Sequence, residues 1–393
     1  MTTSKLATGH PGWFRPEDCR LDDFREVVEQ TTDPADYPYA DSVEQGVLVY
    51  GSRLRDHAAA PEHRRAVQAE LARALLDGPG IVLFSGAFAD LSVLDRASAV
   101  FTELIAEQKA SGTAAGDHFA TPGANDRVWG ALDKLAVADP ETFAAYYACD
   151  VLALVSEAWL GPGYQVTAQV NVVNPGGQAQ VAHRDYHLGF MSLDQSLAFP
   201  AQVHRLSPLM TLQGAVAHCD MPVETGPTMY LPHSQKYDAG YVAFHQPEFT
   251  DYFDRQHVQL PLAKGDAAFF NPALFHGAGT NRSADVRRMA NLLQVSSAFG
   301  RAMESVDRVA MSLALYPVLA RRKAAGADER ELRNVVAASA EGYAFPTNLD
   351  RDQPVGGLAP QTQAELVWQA LGEGWDAAAF AAGLRAHTDR RGA

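Results

Sequence analysis

Between Tyr164 and about Ala298 the chain is cut into short segments by Asn174-Pro175-Gly176-Gly177, Glu224-Thr225-Gly226-Pro227, Ala263-Lys264-Gly265-Asp266 and His276-Gly277-Ala278-Gly279. The segments between these breaks are rich in Val, Leu, Gln and Thr. Gly, Pro, Asn and Asp are the residues that reverse a strand, and short apolar runs between them have no room for long helices. The punctuation predicts an all-β barrel or double sheet over residues 164–298.

The flanks read differently. Ala66, Val67, Leu71, Leu75 and Leu76 recur at helical spacing over 61–76, and Asp77-Gly78-Pro79-Gly80 closes that helix. Residues 80–86 form a short buried strand and 89–110 a second helix. Asp139 and Pro140 supply an N-cap and a first-turn proline for a third, running to about Leu160, where Gly161-Pro162-Gly163 stops it. After Arg301 the pattern is helical again over 303–325, 328–341 and 361–386. Residues 1–60, rich in Asp, Pro and Gly, read as an irregular arm. The expected organisation is an arm (1–60), a main domain (61–300) with its β core inside, and a helical extension (301–393) packed on the same domain.

Thirty-two basic residues against 47 acidic ones leave a net charge of −15. That disfavours nucleic acid or an anionic membrane surface as partner, since phosphate binding wants cations in excess. Cys19, Cys149 and Cys219 are odd in number and widely spaced, which fits a reducing cytoplasm better than a disulfide framework. The first residues lack the apolar run of a signal peptide, and no stretch reaches the length of a membrane span. A small-molecule substrate is the expected partner; nothing in the sequence sets the oligomeric state.

The chemistry concentrates in two places. In Gln180-Val181-Ala182-His183-Arg184-Asp185, His183 and Asp185 stand two apart and face one side of an extended segment. His276 follows about ninety residues later, delivered by a turn and strand over 264–271. Two imidazoles and a carboxylate on one face of a metal suit Fe(II) and leave three positions open, two for a chelating 2-oxo acid and one for O2. Either element alone is weak, because a His-x-Asp triplet occurs often by chance. Together they are specific.

These residues resemble the phytanoyl-CoA dioxygenase (PhyH-like) family of Fe(II)/2-oxoglutarate oxygenases. The resemblance rests on 75–88 (LLDGPGIVLFSGAF), HRD at 183–185, DMPVETGPTMYLPHSQ at 220–235 and HGAGTNRSADVRR at 276–288. It implies a double-stranded β-helix, a cupin-like jelly roll, wrapped by helices. It also implies iron held by His183, Asp185 and His276, with 2-oxoglutarate as cosubstrate, O2 as oxidant, succinate and CO2 released, and an unactivated C–H bond hydroxylated. An arginine eleven residues after the distal histidine grips the remote carboxylate in that family; here the count falls on Arg287. Periodicity does not choose between Arg287 and Arg288, because both faces of 287–295 carry apolar residues. The resemblance selects Arg287 and leaves Arg288 to the surface.

Two departures stand out. The family hydroxyl two residues after the distal histidine is replaced by Ala278, so Thr280 or another donor is expected to substitute. Ala215 takes the place of a common tryptophan and widens the pocket. Gln169 and Asn171 alternate on a predicted strand and stand as candidates for cosubstrate or substrate contact. Tyr186, Phe190 and Phe269 read as core. Two other readings of the same residues are a cupin-like metal enzyme that does not use 2-oxoglutarate and a catalytically silent barrel serving as a binding subunit.

Overall fold

The computed structural model describes residues 12–112 and 124–393. The leading residues 1–11, read above for a signal peptide, lie outside them. Among the described residues no single helix is long and apolar enough to cross a membrane.

Among the described residues, eleven strands form two sheets. They are β1 (Ser42–Glu44), β2 (Val47–Tyr50), β3 (Ile81–Phe84), β4 (Asn125–Val128), β5 (Gln165–Val173), β6 (Thr211–Ala217), β7 (Met229–Tyr230), β8 (Val258–Gln259), β9 (Ala267–Phe270), β10 (His276–Gly277) and β11 (Arg288–Ser296). The large sheet runs β1-β2-β3-β9-β6-β11-β5-β4, and the small one β10-β7-β8. Among the described residues only the β2–β3 pair is parallel; the other ladders are antiparallel. One large and one small sheet enclosing a cavity is the jelly-roll arrangement.

Strand alternation divides the long central strand. Leu293 and Val295 of β11 join an apolar core with helix residues such as Leu132, Phe143, Met311, Leu315, Leu332 and Leu384. Arg288, Ala290, Leu292 and Gln294, on the other face, line the cavity. Helices from both sides of the β region therefore share one core on the outer face of the large sheet. The helix Pro61–Leu76 has the expected bounds, with Pro61 in its first turn. Asp139 accepts from the Thr142 amide at 3.0 Å as an N-cap. The helix that follows is broken, however, into Pro140–Tyr147 and Asp150–Leu160, bent by 60°. At the break Cys149 leaves the helical conformation (ψ 113°), Arg64 donates to Asp150 at 2.7 Å, and Asn334 donates to the Ala148 carbonyl at 3.2 Å. Tertiary partners thus replace one turn of helix.

The expectation of an irregular arm over 1–60 needs correcting. Leu21–Val28 and Ser52–Ala59 are helices, and β1 and β2 form one edge of the large sheet. Val47, Leu48, Val49 and Tyr50 are buried on both faces, as a strand paired in parallel and covered on both sides requires.

Behind the sheet a polar chain is buried. The Asn291 amide donates to the Tyr146 hydroxyl at 3.1 Å, Tyr146 meets His218 Nε2 at 3.0 Å, and His218 Nδ1 meets Ser98 at 2.9 Å. Burial, reinforced by Lys264, pushes the His218 pKa from 6.5 down to about 3. The native state therefore refuses a proton that the unfolded chain accepts. Stability should be full above pH 6.5 and fall as pH drops toward about 3, with a slope of up to about 1.4 kcal/mol per pH unit from this residue. His218→Gln should flatten that slope in urea unfolding curves taken across the window; an unchanged slope would assign the acid sensitivity elsewhere.

Candidate active site

His183 and His276 face each other across an antiparallel bridge. The His183 amide donates to the His276 carbonyl at 3.0 Å and the His276 amide returns the bond at 3.1 Å. The Asp185 amide donates to the Pro272 carbonyl at 2.9 Å, so the whole His183–Asp185 segment is tied to the approach to β10. His183 and Asp185 lie on one side of the segment, and the ligand atoms of all three side chains lie within 4.8 Å of one another.

The donor set is informative. His183 Nδ1 lies 2.9 Å from the Val181 carbonyl and His276 Nδ1 lies 2.8 Å from the Leu274 carbonyl. Carbonyls only accept, so each Nδ1 carries its proton in the neutral ring and each Nε2 presents a lone pair. Those Nε2 atoms stand 3.7 and 3.3 Å from the Asp185 carboxylate oxygens. Three acceptors therefore converge, an arrangement that calls for a cation between them. Burial works against the Asp185 charge, but a proton on the facing imidazoles, standing where that cation would, and the Gln213 amide, which donates to Oδ2, hold its pKa well below the usual carboxylate range.

The three residues sit in a cavity of about 570 Å³ between the two sheets. Its polar wall includes Arg288, which is 7% exposed and has no partner for Nη1 among the described residues. Burial lowers the Arg288 pKa to about 10. A buried guanidinium with an unused donor is costly unless an anion meets it.

The placement of Arg287 corrects the expectation. Its side chain is 54% exposed and leaves the barrel; Nη2 pairs with Asp126 at 2.8 Å and Nε donates to Asn174 at 3.1 Å. β11 opens with Arg288 opposite Val173, so the inward position falls twelve residues after His276, not eleven. The connecting loop is pinned by Asn281, which donates to the Val173 and Val286 carbonyls at 3.0 and 2.9 Å. Thr280 is likewise displaced from the cavity wall: its hydroxyl accepts from the Ala179 amide at 3.0 Å. Thr228 and Tyr230 also line the cavity.

Gln169 and Asn171 both face the cavity, as does Ala215. Gln169 Nε2 points to the Met303 sulfur at 3.6 Å, and Asn171 accepts from Asn125 at 3.1 Å. Tyr186 and Phe269 are buried, whereas Phe190 is 53% exposed and lines the cavity rather than the core. The sequence reading missed Arg127, Trp129 and Met303, which also line it. The Arg127 guanidinium lies 4.7 Å from the Trp129 ring centre. The only sequence signal for this pair is the alternation of Arg127 and Trp129 around buried Val128.

The family model described as phytanoyl-CoA dioxygenase (PhyH) matches residues 64–289, more than half of the chain. The chain belongs to this family. The PhyH match contains all four motif segments named above. Two curated relatives align over shorter stretches. The dioxygenase cdmD of Talaromyces verruculosus is 33% identical over 121 residues, 31% of this chain and 35% of the relative. The dioxygenase trt7 of Aspergillus terreus is 32% identical over 114 residues, 29% and 34% respectively. The chain thus spans about a third of the length of the curated relatives it matches. Among solved structures, the non-heme alpha ketoglutarate dependent epimerase SnoN from nogalamycin biosynthesis is similar over 63% of this chain and 82% of its own (TM-score 0.39, 19% identity). HygX from Streptomyces hygroscopicus, with nickel and 2-oxoglutarate bound, is similar over 60% and 90% (TM-score 0.41, 14% identity).

Proposed function

We propose that this PhyH-family chain is an Fe(II)/2-oxoglutarate-dependent dioxygenase that hydroxylates an unactivated C–H bond of a small molecule and releases succinate and CO2. The observation that carries the reading is one cavity holding both a convergent His183–Asp185–His276 acceptor set and a buried arginine with an unused donor. The acceptor set fits a divalent cation with open positions, and the two imidazoles with one carboxylate suit iron. When bound, iron and 2-oxoglutarate together supply the O2-derived oxidising power that no side chain can provide.

The chain's own residues then have distinct tasks. His183 Nε2, His276 Nε2 and Asp185 hold the ion. Gln213 orients the carboxylate by its amide hydrogen bond. Arg288 takes the remote carboxylate of the cosubstrate as a charge-assisted partner, and Thr228 and Tyr230 line the same cavity. Gln169 and Asn171 offer amides to cosubstrate or substrate, and Ala215 and Ala217 leave room between them. Phe190, Met191 and Met303 give the wall an apolar part that limits water around the reacting centre. The volume lies in the range of small-molecule sites. The three free thiols support a reducing cytoplasm as the working compartment.

The test is succinate formation from 2-oxoglutarate by protein loaded anaerobically with Fe(II) and then exposed to O2. Succinate and CO2 should appear in equal amounts and vanish when iron is chelated. No succinate above the metal-free control would contradict the proposal.

A further inference from the structure

Arg184 stands between two of the three acceptor residues and turns the opposite way. His183 and Asp185 face the cavity, so the side chain between them enters the layer behind it. There it is 2% exposed, a cation with no carboxylate within ion-pair distance among the described residues. Its Nη2 donates to the Ser234 and Tyr237 carbonyls at 2.5 and 3.0 Å. The guanidinium lies 5.2 Å from the ring centres of both Tyr241 and Phe275. Nε has no partner.

Three of the groups it touches, Tyr241, Ser234 and Phe275, lead back to a metal-site residue. The Tyr241 hydroxyl donates to the Asp185 carbonyl at 2.9 Å. The Ser234 hydroxyl accepts from the Phe275 amide at 2.8 Å, and Phe275 immediately precedes His276. The Phe275 carbonyl accepts from the Leu231 amide at 2.9 Å, and the Ser234 hydroxyl donates to the Leu231 carbonyl at 2.6 Å. One buried side chain thus ties the His183–Asp185 segment, the 231–237 turn and the approach to His276 together from behind. The space is shaped for it: a Cβ at Gly240 would lie 1.8 Å from the Arg184 Cζ.

An apolar side chain of this size would fill the layer at lower desolvation cost, since burying a cation without a counter-charge is expensive. What the guanidinium adds is direction. It is a planar donor that holds two carbonyls of one turn while its faces meet two rings. We infer that Arg184 is a positioning residue whose buried guanidinium sets the spacing of His183, Asp185 and His276, and so the affinity and geometry of the metal site. The inference rests on the metal-site reading above.

The experiment is Co(II) binding to the full chain, followed by the visible absorption of the bound ion and by equilibrium titration, with thermal stability measured alongside. Arg184→Met keeps bulk and removes every donor. Gly240→Ala keeps the cation but displaces it. Arg184→Lys keeps charge without the planar fork. Partners behind metal ligands typically change affinity by about 10–100-fold. Arg184→Met and Gly240→Ala should each weaken Co(II) binding at least about tenfold and alter the spectrum, with Arg184→Lys in between. Phe380→Leu, in the distant Ala377–Arg391 helix, should lower stability and leave Co(II) affinity unchanged. If Arg184→Met does not fold, the other two variants carry the test. Wild-type affinity and spectrum in every folded variant would overturn the role of Arg184. Failure of the wild-type chain itself to bind Co(II) would overturn the metal-site reading instead, and the inference with it.

Discussion

Replacing His276 with alanine is expected to lower Fe(II)-dependent succinate release by more than about 100-fold at limiting iron, beyond the range typical of residues behind a ligand. Several features of His276 converge on that expectation. It is 4% exposed, so solvent does not readily supply a replacement ligand. Its Nδ1 is committed to the Leu274 carbonyl, which fixes the ring and presents Nε2. Its backbone is locked to His183 in both directions, so the neighbouring ligand does not shift to compensate. The backbone pairing survives the substitution, because alanine retains the same amide and carbonyl. The variant should therefore fold, and metal titration alongside thermal melting separates lost binding from lost structure. His183→Ala should behave alike. Near wild-type turnover in either variant at limiting iron would remove that residue from the ligand set.

The second large effect concerns the cosubstrate. Arg288→Ala is expected to raise the apparent KM for 2-oxoglutarate by about 10–100-fold, as for loss of a charged hydrogen-bond partner in a buried site. Arg287→Ala should change it little, because that side chain is spent on Asp126 and Asn174 outside the barrel. The pair forms an internal control: adjacent residues, identical side chains, opposite faces of one strand. Arg288→Lys should recover only part of the loss, since an ammonium lacks the planar fork that meets a carboxylate with two bonds. Equal effects at the two positions would point to a general electrostatic contribution, not a specific contact. The reverse order would place the cosubstrate outside the cavity.

The difference between these arginines shows where sequence reasoning stops. His183 and Asp185 are legible because two residues of ligand type at i and i+2 share a face in any extended segment, whatever surrounds them. His276 is legible because the Gly265 turn and the apolar run after it deliver the chain to one place. Arg287 and Arg288 are not legible by alternation. The outward face of β11 packs on helices through Leu293 and Val295, while its inward face carries Ala290 and Leu292 into a partly apolar cavity. Both faces therefore read as buried, and a loop longer by one residue than the family spacing reverses the assignment.

Other misses have the same character. Val47–Tyr50 is a four-residue apolar run inside a stretch whose Asp, Pro and Gly suggest loop, and its pairing with β1 and the distant β3 makes it a strand. The break at Cys149 depends on Arg64 and Asn334, which lie 85 and 185 residues away in the chain. Arg127 and Trp129 become cavity residues only through the pairing of β4 with β5. Local pattern carries the elements, while long-range pairing decides which face of each element meets the site.

The account is tested most directly by a crystal structure of the chain grown anaerobically with Fe(II) and 2-oxoglutarate, with anomalous diffraction recorded at the iron edge. The account predicts a single strong peak roughly 2.0–2.2 Å from His183 Nε2, His276 Nε2 and an Asp185 oxygen, with the remote carboxylate of 2-oxoglutarate on Arg288. A peak away from these three side chains, or a carboxylate held by Arg287, would contradict it.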